Sequence, residues 1–366
     1  MLRFTHCQGF PLVKSYVIWN NKGGVGKTTL TYLMATEYAR SNPSKTVLVI
    51  DLGTQPNVSL ALLGSQNFDT LNYLMSQERT ISFGLHQWIL RRFPTPGDYL
   101  THVNSYNKEI PENVELLCGD IYLEMVGQSL EQTRNAFNLD YWGHVTSLVT
   151  EFIRIINTSL VGRYNDLVVF IDTSSSFSVL TEIALLAADR LIIPVNADDF
   201  SREALKAAFY LVYGIIVDDY KIPTLFKLNQ GTLTFNEKAK RLNLRLPKIH
   251  LVINNRVTMY RSSPAKAFDL MGNSVLQLLR LAFKCYFEYF VKLPIKIDDE
   301  DPVSNYFVEI QDLHTVGIVA LHTGCPLANI SNLGCLDIPF LDGTVQLNRT
   351  QINDYLQCIQ RLVKML

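Results

Sequence analysis

The segment from Trp19 to Thr29 has the residue types and spacing of a loop that binds phosphate groups. It reads WNNKGGVGKTT, it follows a short apolar run, and a helical pattern comes after it. Glycines let the backbone turn sharply and bring its N–H groups close to phosphate oxygens. In such a loop the final lysine contacts the β- and γ-phosphates, and the next hydroxyl residue holds Mg²⁺. The sequence therefore predicts an ATP site. Its predicted nucleotide-binding residues are Gly23, Gly24, Val25, Gly26, Lys27, Thr28 and Thr29.

A carboxylate at the end of an apolar run predicts where this site binds a metal ion. Asp172 directly follows the run Leu167–Ile171. A strand-end acid of this kind holds Mg²⁺ through a water and helps to align the γ-phosphate. A single aspartate can also cap a turn or a helix. Together with the phosphate loop, it favours a Mg²⁺ site that contains Thr28 and Asp172.

The residue before the glycines sets this loop apart from the common P-loop. The common pattern has glycine at position 21, whereas this chain has Asn21 followed by Lys22. Together with the run from Gly23 to Thr29, Lys22 resembles the deviant Walker A box of the ParA/MinD family of ATPases. In that family the early lysine reaches the nucleotide of the partner subunit. The resemblance implies an ATP-dependent homodimer in which Lys22 and Lys27 are catalytic. A solvated loop lysine is the alternative interpretation of Lys22.

A second motif follows the next apolar run. The segment from Asp51 to Asn57, DLGTQPN, resembles the family pattern D-x-D-P-Q-x-N. The resemblance implies that Asp51 is a catalytic residue and a Mg²⁺ ligand. Gly53 stands where the family has the aspartate that orients the attacking water. We therefore predict slow ATP hydrolysis.

Two further segments extend the resemblance. AADRLIIPV, from Ala187 to Val195, is similar to the family element A-A-D-x-x-I-I-P-V. Asn254 and Asn255 lie where the family uses a polar residue to bind the adenine edge, although an asparagine in a turn after a strand is the alternative. The motifs cover residues 16–217 and, more weakly, 249–327. They are more similar to ParA-like proteins, including McdA-like cargo positioners, than to MinD.

The pattern of apolar runs predicts the fold that positions these residues. Short β-branched runs alternate with helical patterns, which favours an α/β, doubly wound, mostly parallel sheet of the P-loop NTPase type. We predict a single domain over residues 1–366, with an insertion at about 80–165 and a C-terminal amphipathic helix at about 348–366. The predicted strands are Tyr16–Trp19, Thr46–Ile50, Leu167–Ile171, Leu191–Val195 and Ile249–Ile253.

Composition limits the remaining possibilities. The formal net charge is -1, so any affinity for nucleic acid must come from a local patch. The six cysteines have no metal-like spacing, which indicates reduced thiols. We see no apolar stretch long enough to span a membrane and no signal-peptide pattern, so we expect a cytoplasmic protein. The resemblance to ParA-like proteins further implies that it is nucleoid-associated.

Cations concentrate in two places, and both are candidate DNA-binding surfaces. A solvated helical face is the alternative for the first of them. The predicted DNA-binding residues are Lys238, Lys240, Arg241, Arg245 and Lys248, followed by Arg256, Arg261 and Lys266.

The leading functional hypothesis is an ATPase that positions or partitions DNA or large cargo. Its ATP-bound dimer would bind nonspecific DNA, and an adaptor protein would stimulate hydrolysis. A P-loop metabolic enzyme and a nucleotide-binding scaffold with little turnover are the alternatives.

Overall fold

A central sheet with helices on both sides forms the molecule. The computed structural model describes residues 14–64, 68–90, 96–135, 166–217, 234–257, 259–260, 263–293, 301–332, 337–340 and 343–366. Eight strands form the main sheet in the order β10 (Phe307–Gln311), β7 (Lys248–Val257), β6 (Arg190–Asn196), β1 (Lys14–Ile18), β5 (Leu167–Thr173), β2 (Thr46–Leu52), β4 (Val114–Leu117) and β3 (Leu100–His102). All neighbours are parallel except β3, which lies antiparallel to β4 at one edge. The predicted α/β, mostly parallel fold is confirmed.

The strands have the following bounds. They are β1 (Lys14–Ile18), β2 (Thr46–Leu52), β3 (Leu100–His102), β4 (Val114–Leu117), β5 (Leu167–Thr173), β6 (Arg190–Asn196), β7 (Lys248–Val257), β8 (Met259–Tyr260), β9 (Ser263–Pro264), β10 (Phe307–Gln311), β11 (Asp337–Phe340) and β12 (Gly343–Gln346).

The helices pack on the two faces of this sheet. They are α1 (Lys27–Ser41), α2 (Asn57–Leu63), α3 (Phe68–Ser76), α4 (Ile81–Ile89), α5 (Leu123–Asn135), α6 (Val179–Ala187), α7 (Ser201–Tyr213), α8 (Phe235–Arg241), α9 (Lys266–Tyr286), α10 (His314–Thr323), α11 (Leu327–Asn332) and α12 (Arg349–Val363). Short 3₁₀ turns occupy Pro96–Tyr99, Val103–Ser105, Phe287–Tyr289 and Pro302–Tyr306.

Two hydrophobic cores, one on each face, explain why the central strands are apolar throughout. Along β1, Tyr16 and Ile18 belong to one core, whereas Val17 and the following Trp19 belong to the other. Successive side chains of a strand point to opposite faces, so a strand covered on both sides buries every residue. The five predicted strands correspond to β1, β2, β5, β6 and β7. Trp19 lies just beyond β1, although its backbone N–H still donates to Ile192 O at 3.1 Å.

The described part of the predicted insertion extends the sheet. β4 pairs in parallel with β2, and β3 forms the edge beyond it. The helices α4 and α5 pack together beside these strands. Residues 136–165 of the predicted insertion lie outside the described residues.

The last helix completes one core. Asn348 caps α12 by accepting a hydrogen bond from Thr350 N at 2.9 Å, and α12 packs against α1. The buried face of α12 contains Ile352, Tyr355 and Ile359, as its three- and four-residue spacing predicts. Within the described ranges, no helix has the length and apolar character needed to span a membrane.

Candidate nucleotide site

The phosphate-binding loop connects the central strand β1 to α1. Gly24 and Gly26 have φ angles of 70° and 86°, a region that glycine adopts without steric cost. A Cβ atom at Gly26 would also overlap the side-chain nitrogen of Asn255. The loop therefore needs glycine at position 26 both for its turn and for its packing. The N-terminus of α1, whose free N–H groups favour anions, opens directly after it.

Lys27 holds its ammonium group inside this loop. Lys27 Nζ donates to the carbonyl oxygens of Asn20 and Lys22, each at 3.2 Å. Burial lowers the pKa of Lys27, and the nearby charge of Asp172 acts in the opposite direction. The cation is thus already positioned where phosphate oxygens would replace the loop carbonyls as its partners.

Asp172 lies at the carboxyl end of β5 and faces α1. It accepts hydrogen bonds from Thr28 Oγ1 at 2.8 Å and from Thr31 Oγ1 at 3.2 Å. Burial raises the pKa of this carboxyl group, while the two threonines oppose the shift. A hydroxyl oxygen and a carboxylate oxygen in contact are a donor set that Mg²⁺ prefers. The predicted pairing of Thr28 with Asp172 therefore fits a magnesium ion.

Asp51 occupies the neighbouring position on β2, in register with Asp172. Its carboxylate accepts from Ser59 Oγ at 2.7 Å, from Ser59 N at 3.1 Å and from Gly53 N at 3.0 Å. Burial raises the pKa of Asp51, and the charge of Asp172 raises it further. Two adjacent buried carboxylates repel each other, which a divalent cation relieves.

Ser59 and Gly119 complete the surroundings of Asp51, and sequence reasoning missed both. Gly119 N donates to Ser59 Oγ at 2.9 Å. A Cβ atom at Gly119 would lie 2.8 Å from Asp51 Cγ. These residues orient the Asp51 side chain, but no local motif marks them in the sequence.

Lys22 points to Asp198, which lies two residues beyond the end of β6. Its Nζ lies 2.5 Å from Asp198 Oδ2 and 5.6 Å from the centre of the Phe200 ring. Burial of Asp198 would raise its pKa, but the hydrogen bond and charge of Lys22 outweigh this and lower the pKa. The side chains are 25% and 38% exposed, so solvent weakens this ion pair. Phe200 itself is 69% exposed.

A family model matches the part of the chain that contains the phosphate-binding loop, and two relatives are similar to the chain in sequence. A family model described as an AAA domain, AAA_31, matches residues 13–218, which is more than half of the chain. ParA family proteins of Chlamydia trachomatis and Chlamydia muridarum are 25% and 24% identical to this chain over 204 residues. The chain belongs to the ParA/MinD-like family of ATPases.

Sequence and structural relatives cover different shares of this ParA/MinD-like chain. The chlamydial matches span 56% of this chain and 66% of each relative, just under two thirds of their length. The structure of apo McdA from Cyanothece has a TM-score of 0.53 at 16% identity, with 88% of this chain and 94% of that chain covered. An ATP complex of a Cyanothece McdA variant has the same TM-score and identity, with 96% of both chains covered. These likenesses show the shared fold.

Within this ParA/MinD-like ATPase, the two predicted adenine-binding asparagines lie on different sides of β7. Asn255 Nδ2 donates to Val25 O at 3.1 Å, so this side chain contacts the phosphate-binding loop. Asn254 Nδ2 instead donates to Glu309 Oε1 at 3.0 Å. Both residues belong to the strand and not to a turn after it. The structure thus brings Asn255 to the loop and directs Asn254 towards β10.

Gly53 is tightly surrounded. A Cβ atom there would lie 3.0 Å from Gln55 O and 3.1 Å from Asp51 Oδ1. An aspartate at this position would therefore have to fit directly beside Asp51.

The predicted DNA-binding cations separate into two groups. Lys248 is the first residue of β7 and Arg256 is near its end, so a distance of about 27 Å separates them at the usual rise per residue. The amino-edge group, Lys238, Lys240, Arg241, Arg245 and Lys248, comprises the last turn of α8 and the chain that leads into β7. The carboxyl-edge group has Arg256 and Lys266, both exposed, and Arg261 lies outside the described residues. The two groups therefore form two surfaces, one at the amino ends of the strands (the amino edge) and one at their carboxyl ends (the carboxyl edge).

Proposed function

We propose that this protein is a Mg²⁺-dependent ATPase whose ATP-bound form is a homodimer that binds nonspecific DNA. The dimer positions or partitions DNA or a large cargo. An adaptor protein stimulates hydrolysis and releases the dimer, and the protein acts in the cytoplasm on the nucleoid. The adaptor and the location follow from the family resemblance.

The cluster at the carboxyl edge of the sheet carries the ATPase part of the proposal. Lys27, Thr28, Asp51 and Asp172 converge on the loop between β1 and α1. Lysine and the N-terminus of α1 would bind the phosphates, and the hydroxyl and carboxylates would hold Mg²⁺. The metal would neutralise charge on the transferred phosphoryl group. The ATP complex of the McdA variant supports the same use of this fold.

The orientation of Lys22 supports the homodimer. Its ammonium group bonds to Asp198 and so does not occupy its own phosphate-binding loop, where the ammonium group of Lys27 lies. A lysine that contacts the nucleotide of a partner subunit has to lie outside its own phosphate-binding loop, where that subunit can approach it. The exposed ring of Phe200 lies beside it and would be covered in a dimer.

The amino-edge group of cations supports the DNA part. Nonspecific DNA binding needs only several lysines and arginines that contact phosphates. Lys240, Arg241 and Arg245 are exposed and follow one another on one surface. In a dimer this surface occurs twice, which raises the number of phosphate contacts.

Lys22→Ala tests the assembly step. We expect wild type to change from monomer to dimer in sedimentation velocity when ATP and Mg²⁺ are added, and Lys22→Ala to remain monomeric. ATP affinity should fall less than about tenfold, because Lys27 remains. Lys108→Ala, which removes an exposed lysine elsewhere, is the matched control and should dimerise. A wild-type mass that saturating ATP and Mg²⁺ leave unchanged contradicts the dimer.

Gly53 favours a second candidate function, a nucleotide-binding scaffold with little turnover. Without a carboxylate at this position, the water that attacks ATP lacks an orienting group. Single-turnover hydrolysis measured with and without DNA separates the two candidates. An ATPase of the proposed kind is faster with DNA and adaptor, whereas a scaffold stays bound to unhydrolysed ATP.

A further inference from the structure

A cavity of about 470 Å³ opens at the amino edge of the sheet, at the far end of the strands from the nucleotide site. Segments that are distant in sequence form it. Five cationic side chains line it, namely Lys14, Arg190, Arg245, Lys248 and Lys292, together with the two acidic side chains Asp189 and Glu288. The cavity is therefore strongly cationic, although the formal charge of the whole chain is -1.

Two of these cations have partners on the backbone. Lys14 Nζ donates to Leu366 O at 2.9 Å, and Lys248 Nζ donates to Glu288 O. The Glu288 carbonyl satisfies the hydrogen bond of Lys248 but does not neutralise its charge. Arg245 pairs with Asp189 at 3.5 Å, an exposed and weak ion pair.

Arg190 is the half-buried cation at the base of this cavity. Its Nη1 donates to Tyr16 Oη and to His250 Nδ1, each at 3.4 Å. Its guanidinium lies 5.5 Å from the centre of the Tyr16 ring. Within the described residues, Arg190 has no carboxylate partner. Its charge is held in place by packing against Tyr16 and is not neutralised.

The neighbouring groups respond to this positive potential. Burial lowers the pKa of Lys14, and the charge of Arg190 lowers it further. Burial also lowers the pKa of His250, and Arg190 again contributes. An anion in the cavity would relieve the repulsion among these groups.

We propose that this cavity binds a compact organic phosphate, with the phosphate group at Arg190, Arg245 and Lys248 and the organic part against Phe287. Guanidinium groups bind phosphate oxygens through paired, charge-assisted hydrogen bonds. The volume lies in the range of small-ligand pockets. Phe287 is 65% exposed and lines the cavity, so it offers an aromatic face beside the cations. Because Arg190 is recessed, a compact phosphate reaches it more readily than a phosphate of duplex DNA. The site is separate from the ATP site, and it shares Arg245 and Lys248 with the amino-edge group that is proposed to bind DNA.

Titration calorimetry with phenyl phosphate tests the site in the full-length chain. ADP and Mg²⁺ are kept in excess so that the nucleotide site is filled. We expect one phenyl phosphate to bind per chain. Arg190→Gln should weaken binding at least about tenfold, and Lys292→Gln about two- to threefold. Lys284→Gln, an exposed lysine outside the cavity, is the matched control and should bind as wild type does.

The aromatic part of the site has its own test. Inorganic phosphate should bind more weakly than phenyl phosphate. Phe287→Ala should remove this difference without changing the affinity for inorganic phosphate. Thermal unfolding checks that each variant is folded, and Lys292→Gln together with Phe287→Ala decides the outcome if Arg190→Gln does not fold.

Three results overturn the proposal. The first is the absence of binding outside the filled nucleotide site. The second is binding that neither the cation variants nor Phe287→Ala weakens. The third combines two observations: a short DNA duplex displaces phenyl phosphate, and Arg190→Gln weakens binding of that duplex about tenfold. This result would assign the cavity to a DNA-binding surface.

Discussion

The charged sites at the two ends of the central strands differ in how their charged groups are held. At the carboxyl edge, Lys27 and Asp172 are buried, and each is held by hydrogen bonds from its surroundings. At the amino edge, Arg190 and Lys248 donate hydrogen bonds to neutral groups, and neither has a carboxylate partner in the described part of the chain. A short loop and the carboxyl ends of two strands build the first site, whereas the amino ends of three strands and the segment around Phe287 build the second. One edge is prearranged for a phosphate chain with its metal, and the other has an excess of positive charge.

The largest expected effect is at the carboxyl edge. Asp172→Asn keeps the shape of the side chain but removes the charge that would hold Mg²⁺. We expect ATP hydrolysis to fall by at least about 10²-fold. Lys292→Gln, at the amino edge, should leave the rate unchanged. A steady-state phosphate-release assay measures both, and equal losses would show that the two edges are not functionally separate.

The next largest effect is on DNA binding, and it shows which of the two groups of cations contacts DNA. Replacing Lys240, Arg241 and Arg245 with Glu should abolish DNA binding by the ATP-bound protein and spare ATP binding. Wild-type affinity should fall about a hundredfold between 50 and 200 mM salt if four phosphates are contacted. The matched variant with Arg256 and Lys266 replaced by Glu tests the carboxyl edge. Fluorescence anisotropy with labelled duplex measures both, and loss of binding only in the second variant would move the DNA surface to that edge.

A smaller effect concerns Gly53, beside Asp51. We expect Gly53→Asp to raise ATP hydrolysis, by up to about 10²-fold, because a carboxylate can orient the attacking water. Its Cβ is crowded by Gln55 O and Asp51 Oδ1, so the free energy of unfolding should fall by about 1–2 kcal/mol. Gly53→Ala has the same crowding without the carboxylate. It should therefore lose stability without gaining rate, as urea unfolding and single-turnover assays would measure. An equal gain in rate for both variants would contradict the role given to the carboxylate.

The smallest effect is the pH dependence of stability from the amino edge. Burial, then Arg190, lowers the pKa of His250 from 6.5 to about 4. The unfolded chain therefore binds the proton more readily between these values. The contribution of neutral His250 to the free energy of unfolding is present above pH 6.5. It is lost as pH falls towards 4, by about 2–3 kcal/mol at most. His250→Gln keeps a donor for Met365 O, which now accepts from His250 Nε2 at 2.9 Å. Urea unfolding at about pH 7 and pH 4.5 should show a smaller pH effect in this variant, and an unchanged effect would contradict the assignment.

Local patterns explain how much could be predicted from the sequence. The apolar runs predicted β1, β2, β5, β6 and β7 because each is buried on both faces. The phosphate-binding loop was predictable because its glycines, lysine and threonine are contiguous. The exact ends were less certain, and β7 continues through Asn254 and Asn255 because it pairs with β6 and β10.

Residues that meet only in the folded chain could not be predicted. Ser59 and Gly119 reach Asp51 from different segments, and neither belongs to a motif. Asp198 pairs with Lys22 across 176 positions of sequence. Lys14 and Arg190 belong to no cationic cluster in the sequence. The parallel sheet brings them to Lys248 by aligning the amino ends of three strands.

The pairing of β1 has a consequence for the growing chain on the ribosome. β1 carries the phosphate-binding loop, but its neighbours in the sheet are β5 and β6. β1 therefore stays without its partners until Asn196, the last residue of β6, has been made. At about 5–20 residues per second this takes roughly ten to forty seconds. During this interval an apolar strand is exposed, and the nascent polypeptide cannot yet bind ATP. Chaperone contact is therefore most needed before β6 emerges, and nucleotide can help folding only after it has done so.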